Sequence, residues 1–361
     1  MSDFRIVIIG IGAVAEAIAQ SIADIPNATL VAGSCRTRAK GETFAARYHC
    51  RWYENTDEML DREKPNVAVI ATPSGAHLEP ALSCAKRKIH VLCEKPIEIT
   101  VARARQMIEA FRREAVTLGG IFPQRFNPVV RSIYDAAKQG RFGNLALVNA
   151  TVPWWRDDAY YGPGRWQGSL ALDGGGALIN QAIHYVDLAQ WIAGATMNDL
   201  APSANPVEEV FAYTAKRSHD PKQVEVEDTA VAVLRFRNGA VGQLLAATSM
   251  YPGSLRWLQI GGRDGSVELH EDQLITYRFR SEHPDDEKLR RRFANATKHT
   301  GGSSNPMAFD YTNHRHNLAS FLHALEQNQA PTISGEEALK AIQIIEACYT
   351  SARTGQAVQI P

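Results

Sequence analysis

Phe4-Arg5-Ile6-Val7-Ile8-Ile9-Gly10-Ile11-Gly12-Ala13-Val14-Ala15 is an apolar run that breaks on glycine and restarts as a helix. Its first six residues are rich in β-branched side chains and lack polar alternation, the pattern of a strand buried on both faces of a parallel sheet. Gly10 permits a tight strand-to-helix turn and Gly12 lets the backbone approach a pyrophosphate. Ala15 stands where a small residue allows helix and strand to pack. The spacing predicts a helix over Ala13–Ala23, whose N-terminal N–H groups and positive dipole end face the phosphates. The stretch reads as the first βα unit of a dinucleotide site, with Gly10, Gly12, Ala13 and Val14 as cofactor contacts.

At 361 residues the chain exceeds one ordinary core, and two domains are expected, 1–122 and 123–361. Lys plus Arg (39) equals Asp plus Glu (39), so no global field draws the chain to nucleic acid or membrane, and small-molecule partners are expected. The five cysteines are scattered without metal-type pairing, which fits reduced thiols in a cytoplasmic protein. No apolar run approaches the ~18 residues of a membrane span, and no metal-ligand pattern occurs.

Strands and helices alternate from Thr29–Cys35 through Val67–Thr72 and His90–Cys93 to Val116–Phe122, which means a parallel, doubly wound sheet. Beyond Pro123 the rhythm changes to longer strands: 145–155, 207–215, 229–237, 240–250, 255–261 and 266–269. Asn238-Gly239 and Arg263-Asp264-Gly265 mark turns between them. The second half is therefore mostly antiparallel sheet, interrupted by a helix over Ala177–Ile192 and closed by helices over 309–327 and 335–352. Residues 281–306 are polar and read as a long, lid-like or assembly loop.

Ala71-Thr72-Pro73-Ser74-Gly75-Ala76-His77 and Cys93-Glu94-Lys95-Pro96 both follow buried strands, at the carboxyl edge where open α/β sheets bind ligands. Thr72, Pro73, His77 and Glu94 are candidate cofactor contacts. Lys95 is a cation beside a proline that a cis bond would aim; the competing reading is a solvated Glu94-Lys95 pair.

Together with Asp173-Gly174-Gly175-Gly176-Ala177 and Asn180-Gln181-Ala182-Ile183-His184-Tyr185-Val186-Asp187, these motifs resemble the Gfo/Idh/MocA oxidoreductases over nearly the whole chain. The resemblance implies an N-terminal Rossmann domain and a C-terminal α+β domain with an open-faced, largely antiparallel mixed sheet. It also implies NAD- or NADP-dependent oxidation or reduction of sugar and polyol hydroxyl or carbonyl groups, in homodimers or homotetramers assembled through that sheet. It transfers the family's catalytic lysine to Lys95 and its catalytic histidine to His184.

Asn180 and His184 are four apart, so on a helix they share a face. An imidazole can take the proton of an alcohol that loses hydride, and Lys95 can hold the alcohol oxygen. Many members carry aspartate where this chain has Asn180, and an amide orients a hydroxyl without taking its proton. For His184 the alternative is a packed helix histidine. Asp187 either orients that imidazole or forms an ion pair or cap elsewhere. Arg125 resembles a cleft-lining position and competes with a structural salt bridge. Trp155, Arg156, Tyr161 and Trp166 suit stacking and hydrogen bonding to a polyhydroxylated ring; they equally suit covering the sheet or a subunit interface. His314 is a minor candidate with a structural alternative.

At the end of the second strand Ser34-Cys35-Arg36-Thr37-Arg38 lacks the acid that binds a ribose 2′-hydroxyl, so Ser34, Arg36 and Arg38 point to NADP rather than NAD. A different class remains open: a dinucleotide-sensing regulatory protein that keeps the fold without turnover.

Overall fold

The computed structural model describes residues 3–294 and 311–361. It divides into two compact units: Met1–Pro123 with Asp310–Leu339, and Gln124–Phe309 with Lys340–Pro361. A single boundary after residue 122 thus misses one return of the chain. The helix Thr312–Glu326 packs in the first unit against the helix Ala13–Ala23, burying Leu318, Phe321 and Leu322.

In the first unit six parallel strands lie in the order β3-β2-β1-β4-β5-β6: β1 Phe4–Ile9, β2 Ala28–Ser34, β3 Arg51–Tyr53, β4 Val67–Ile70, β5 His90–Cys93 and β6 Leu118–Gly120. Every residue of β4 and all but Arg5 of β1 is buried, as strands covered on both faces require. The connecting helices are α1 Ala13–Ala23, α2 Arg38–Tyr48, α3 Thr56–Glu63, α4 Leu78–Lys86 and α5 Val101–Arg113. Strand order reverses between β1 and β4, so the carboxyl ends of these strands form the switch-point edge of a doubly wound sheet.

The second unit starts with α6 Pro128–Lys138 and is built on an eight-stranded mixed sheet. Its strands are β7 Leu145–Pro153, β8 Val207–Ala215, β9 Thr229–Phe236, β10 Val241–Ala247, β11 Trp257–Gly262, β12 Gly265–His270, β13 Gln273–Phe279 and β14 Val358–Gln359. All neighbours pair antiparallel except β10 with β7, in the order β13-β12-β11-β7-β10-β9-β8-β14. The one-turn helix α7 (Leu170–Asp173) precedes the glycine triplet. A π-helical segment, Ala177–Ala182, then leads into α8 (Ile183–Gly194) against β7.

Two expectations are corrected. The helix expected over Ala177–Ile192 begins with i→i+5 turns, a distortion the 3.6-residue pattern of apolar residues does not encode. The loop expected over 281–306 contains the helix α9 Asp286–Ala294, held by Arg141, whose guanidinium donates to both oxygens of the buried Asp286 carboxylate. That pairing is long-range and invisible in the local polar composition. Residues 295–306 of the expected loop lie outside the described residues. The chain ends with α10 (Thr312–Glu326), α11 (Gly335–Thr354) and β14.

Candidate active site

Gly10 sits at φ +98, and a Cβ there would lie 2.7 Å from the backbone of Ala71 and Thr72, so only glycine fits this turn. A Cβ on Gly12 would meet nothing within 4 Å, and Gly12 caps α1 without a side-chain hydrogen bond. Ala13 is exposed and Val14 half-buried in the first turn. Space over Gly12 and uncapped N–H groups are what a dinucleotide pyrophosphate needs, so these residues fit the cofactor that the fingerprint implies.

The other end of that cofactor pocket is less simple. Ser34 is buried, with its hydroxyl 3.0 Å from that of Thr56. Arg36 and Arg38 are exposed. Arg38 donates to Glu42 at 2.8 Å in an i,i+4 pair, and its guanidinium lies 5.9 Å from the Trp52 ring.

At the β4 and β5 ends, Thr72 donates its hydroxyl to the Ala76 carbonyl, and Pro73 opens the short turn Ser74–Ala76. His77, assigned above to the cofactor, is buried, with Nδ1 2.9 Å from the Pro96 carbonyl and Nε2 2.9 Å from that of Thr72. Its ring therefore ties the two strand-end loops together. Burial lowers its pKa, although the carbonyls and the Glu98 charge favour the cation.

Glu94 is also buried. One carboxylate oxygen accepts from the Lys95 N–H at 3.1 Å and the other lies 3.8 Å from Nε2 of His314. Burial pushes this carboxyl up to about 7, opposed by the Lys95 charge and N–H. Lys95 is half-buried immediately after β5, and the Lys95–Pro96 bond is cis.

In the second unit, every residue from Ala177 to Ala193 is buried except Asn180 and His184, which are half-buried. The family resemblance singles out His184, and the four-residue spacing adds Asn180. The structure adds the carboxylate that holds their helix. Glu227 accepts from the N–H groups of Gly176 (2.8 Å) and Leu178 (2.9 Å) and from the Tyr349 hydroxyl of α11 (3.0 Å). A side chain on Gly176 would collide with the Glu227 carbonyl oxygen and one on Gly175 with the Tyr349 hydroxyl, which explains the glycines. Burial raises the pKa of Glu227, opposed by those donors. Sequence reading missed Glu227 and Tyr349 because Glu225-Val226-Glu227-Asp228 looks like a solvated acidic run.

The substrate candidates separate. Arg125 is 1% exposed and clamps Asp187 through Nε (2.7 Å) and Nη2 (2.5 Å), over the Trp191 ring at 4.8 Å. The guanidinium is enclosed, and the Asp187 carboxylate accepts both from it and from Gln190 Nε2 at 3.3 Å. Arg156 is buried between the Trp154 and Tyr160 rings and donates to Gln181 Oε1 at 2.7 Å. Tyr161 is buried with its hydroxyl on Thr248. Trp155, packed near His219 and Tyr251, and Trp166 are half-buried.

Comparison with known proteins matches residues 4–121 to the oxidoreductase family's NAD-binding Rossmann fold and residues 135–360 to its C-terminal alpha/beta domain. The chain is 24% identical to the D-glucoside 3-dehydrogenase of Escherichia coli K12, over 99% of this chain and 98% of that one. It is 28% identical to the myo-inositol 2-dehydrogenase of Thermotoga maritima, over 73% and 74% of the two chains. Among solved structures, the WlbA dehydrogenase of Bordetella pertussis, in complex with NADH and UDP-GlcNAcA, is 29% identical, with a TM-score of 0.87 over 100% of this chain and 98% of that one. The chain belongs to the Gfo/Idh/MocA oxidoreductase family, with its NAD-binding Rossmann domain and its C-terminal alpha/beta domain.

Proposed function

We propose that this oxidoreductase transfers a hydride between a nicotinamide cofactor and a hydroxyl or carbonyl carbon of a sugar, polyol or sugar derivative. The observation that carries the reading is the isolation of Asn180 and His184 as the accessible positions on an otherwise buried helical segment. The names of the relatives, which are sugar and inositol dehydrogenases, support the substrate class. The bound nicotinamide supplies a two-electron hydride acceptor or donor. In the oxidation direction the alcohol carbon gives up hydride and its hydroxyl proton passes to the His184 imidazole; reduction reverses both transfers. The Lys95 ammonium donates to the same oxygen and stabilises its developing negative charge. Asn180 orients a substrate hydroxyl through its amide. Incubation with NAD or NADP and a panel of myo-inositol, methyl glucoside and UDP-GlcNAcA, followed by reduced-nicotinamide absorbance, tests the reading. Tight cofactor binding with no turnover across a broadened sugar panel would favour a sensing role instead.

The cofactor preference proposed is NADP. Arg36 and Arg38 are exposed beside the β2 end, and the pair of Arg38 with Glu42 lies in solvent, where such pairs are weak, so a 2′-phosphate can displace it. Replacement of both arginines by alanine is expected to raise KM for NADP by about tenfold or more while leaving KM for NAD nearly unchanged. A parent enzyme that prefers NAD would refute the proposal.

A homodimer or homotetramer through the open face of the eight-stranded sheet is also proposed. Tyr213, Val231 and Leu245 form one cross-strand row and Phe211, Val233 and Gln243 the next; Tyr213, Val231 and Val233 are exposed. Val233→Glu should yield monomers by light scattering; an unchanged mass would count against this interface.

A further inference from the structure

Asp173 belongs to none of the roles assigned so far, yet it is 1% exposed and its carboxylate is committed on both oxygens. Oδ2 accepts from the Gly168 N–H at 2.9 Å, two residues after Trp166, and Oδ1 accepts from Nδ2 of Asn180 at 2.6 Å. The chain of amides continues from there. Gln181 donates through Nε2 to Asn180 Oδ1 (3.1 Å) and to the Tyr160 hydroxyl (2.9 Å), and Gln181 Oε1 accepts from Nη2 of Arg156 (2.7 Å).

An amide can ordinarily be turned end for end, exchanging donor and acceptor. Here both ends of the series are groups of one polarity. A carboxylate only accepts and a guanidinium only donates, so both intervening amides have a single satisfied orientation. We propose that Asp173 is a positioning residue: it fixes the polarity of the Asn180 amide, so that Oδ1 and not Nδ2 is the end turned from the carboxylate. In the same act it ties the segment after Trp166 to the helix that carries His184. The inference rests on the reading of Asn180 as a substrate contact. It also explains why position 180 holds an amide here. A carboxylate there would stand in hydrogen-bond contact with that of the buried Asp173, and two negative charges so close together favour a shared proton.

Four variants test this with the best substrate of the panel above, with thermal unfolding measured in parallel. Asp173→Asn places an NH2 group against either the Gly168 N–H or the Asn180 NH2, and is expected to raise substrate KM by about tenfold or more, with a smaller change in kcat. Asn180→Asp is expected to lose activity through carboxylate repulsion. The exchange Asp173→Asn/Asn180→Asp restores the polarity of these contacts: the new amide oxygen at 173 meets the Gly168 N–H, its NH2 meets the new carboxylate at 180, and that carboxylate still accepts from Gln181 Nε2. It should recover Tm and bring KM back to within about threefold of the parent, a non-additive rescue that marks direct coupling. Parental KM in Asp173→Asn would overturn the proposal, as would an exchange variant that folds without regaining KM. If both single variants fail to fold, the exchange variant decides; its own failure to fold would show that the carboxylate props up the chain and does not orient the amide. Asn180→Ala separates the two levels. An unchanged KM there removes the substrate reading of Asn180, and with it the inference. A raised KM beside a silent Asp173→Asn removes the inference alone.

Discussion

Lys95→Ala is expected to lower kcat by about 10²- to 10³-fold, the loss that follows removal of one donor to a developing oxyanion. His184→Ala is expected to lower it by about 10²- to 10⁴-fold, the range of a general base. NADH or NADPH binding, followed by fluorescence titration, should stay close to that of the parent for His184→Ala, because the cofactor fingerprint belongs to the other unit. Lys95 follows β5 directly, and its backbone N–H is held by the buried Glu94 carboxylate, so the alanine variant keeps its main-chain anchor. Loss of activity in it would therefore report on the ammonium group. A Lys95→Ala enzyme with parental kcat would end the catalytic assignment.

Breaking the Arg125–Asp187 pair should give the largest loss of stability. Both side chains are 1% exposed, so neither charge recovers hydration when its partner is removed. Asp187→Ala leaves a guanidinium enclosed against the Trp191 ring, itself stacked on Tyr134 at 3.9 Å. The expected cost is about 3–5 kcal/mol, which for a unit of this size lowers Tm by on the order of 10 °C. Asp187 lies on α8 and also accepts from Gln190, so the same change loosens the helix that bears His184 and should reduce activity with it. An apolar pair, Arg125→Met with Asp187→Leu, should be more stable than either single loss, since no charge is left unmatched. Calorimetry of the three variants checks this, and an Asp187→Ala protein that melts with the parent would refute it.

The first unit was legible because its signals are local. Buried strands read as continuous β-branched runs, and Gly10 and Gly12 declare a turn whose backbone needs them. Lys95, Asn180 and His184 were singled out from the family motifs and their spacing, and all three are half-buried. Arg125, Arg156 and Tyr161 were harder. Arginine and tyrosine serve a sugar or a buried network equally well, and nothing in their local sequence reports the burial that the structure shows.

Hydrophobic periodicity and glycine placement by themselves determined the βα order and the dinucleotide turn, because each depends on residues a few positions apart, while Lys95, Asn180 and His184 were singled out by the motifs that carry the family resemblance. Only the tertiary structure decided that Asp187 pairs with Arg125 across 62 residues and that Glu227 reaches 51 residues back to Gly176. The same is true of Asp173, whose meaning depends on the Gln181 and Arg156 groups beyond Asn180. A buried charge must find partners wherever the fold brings them, and their distance along the chain leaves no trace in local composition.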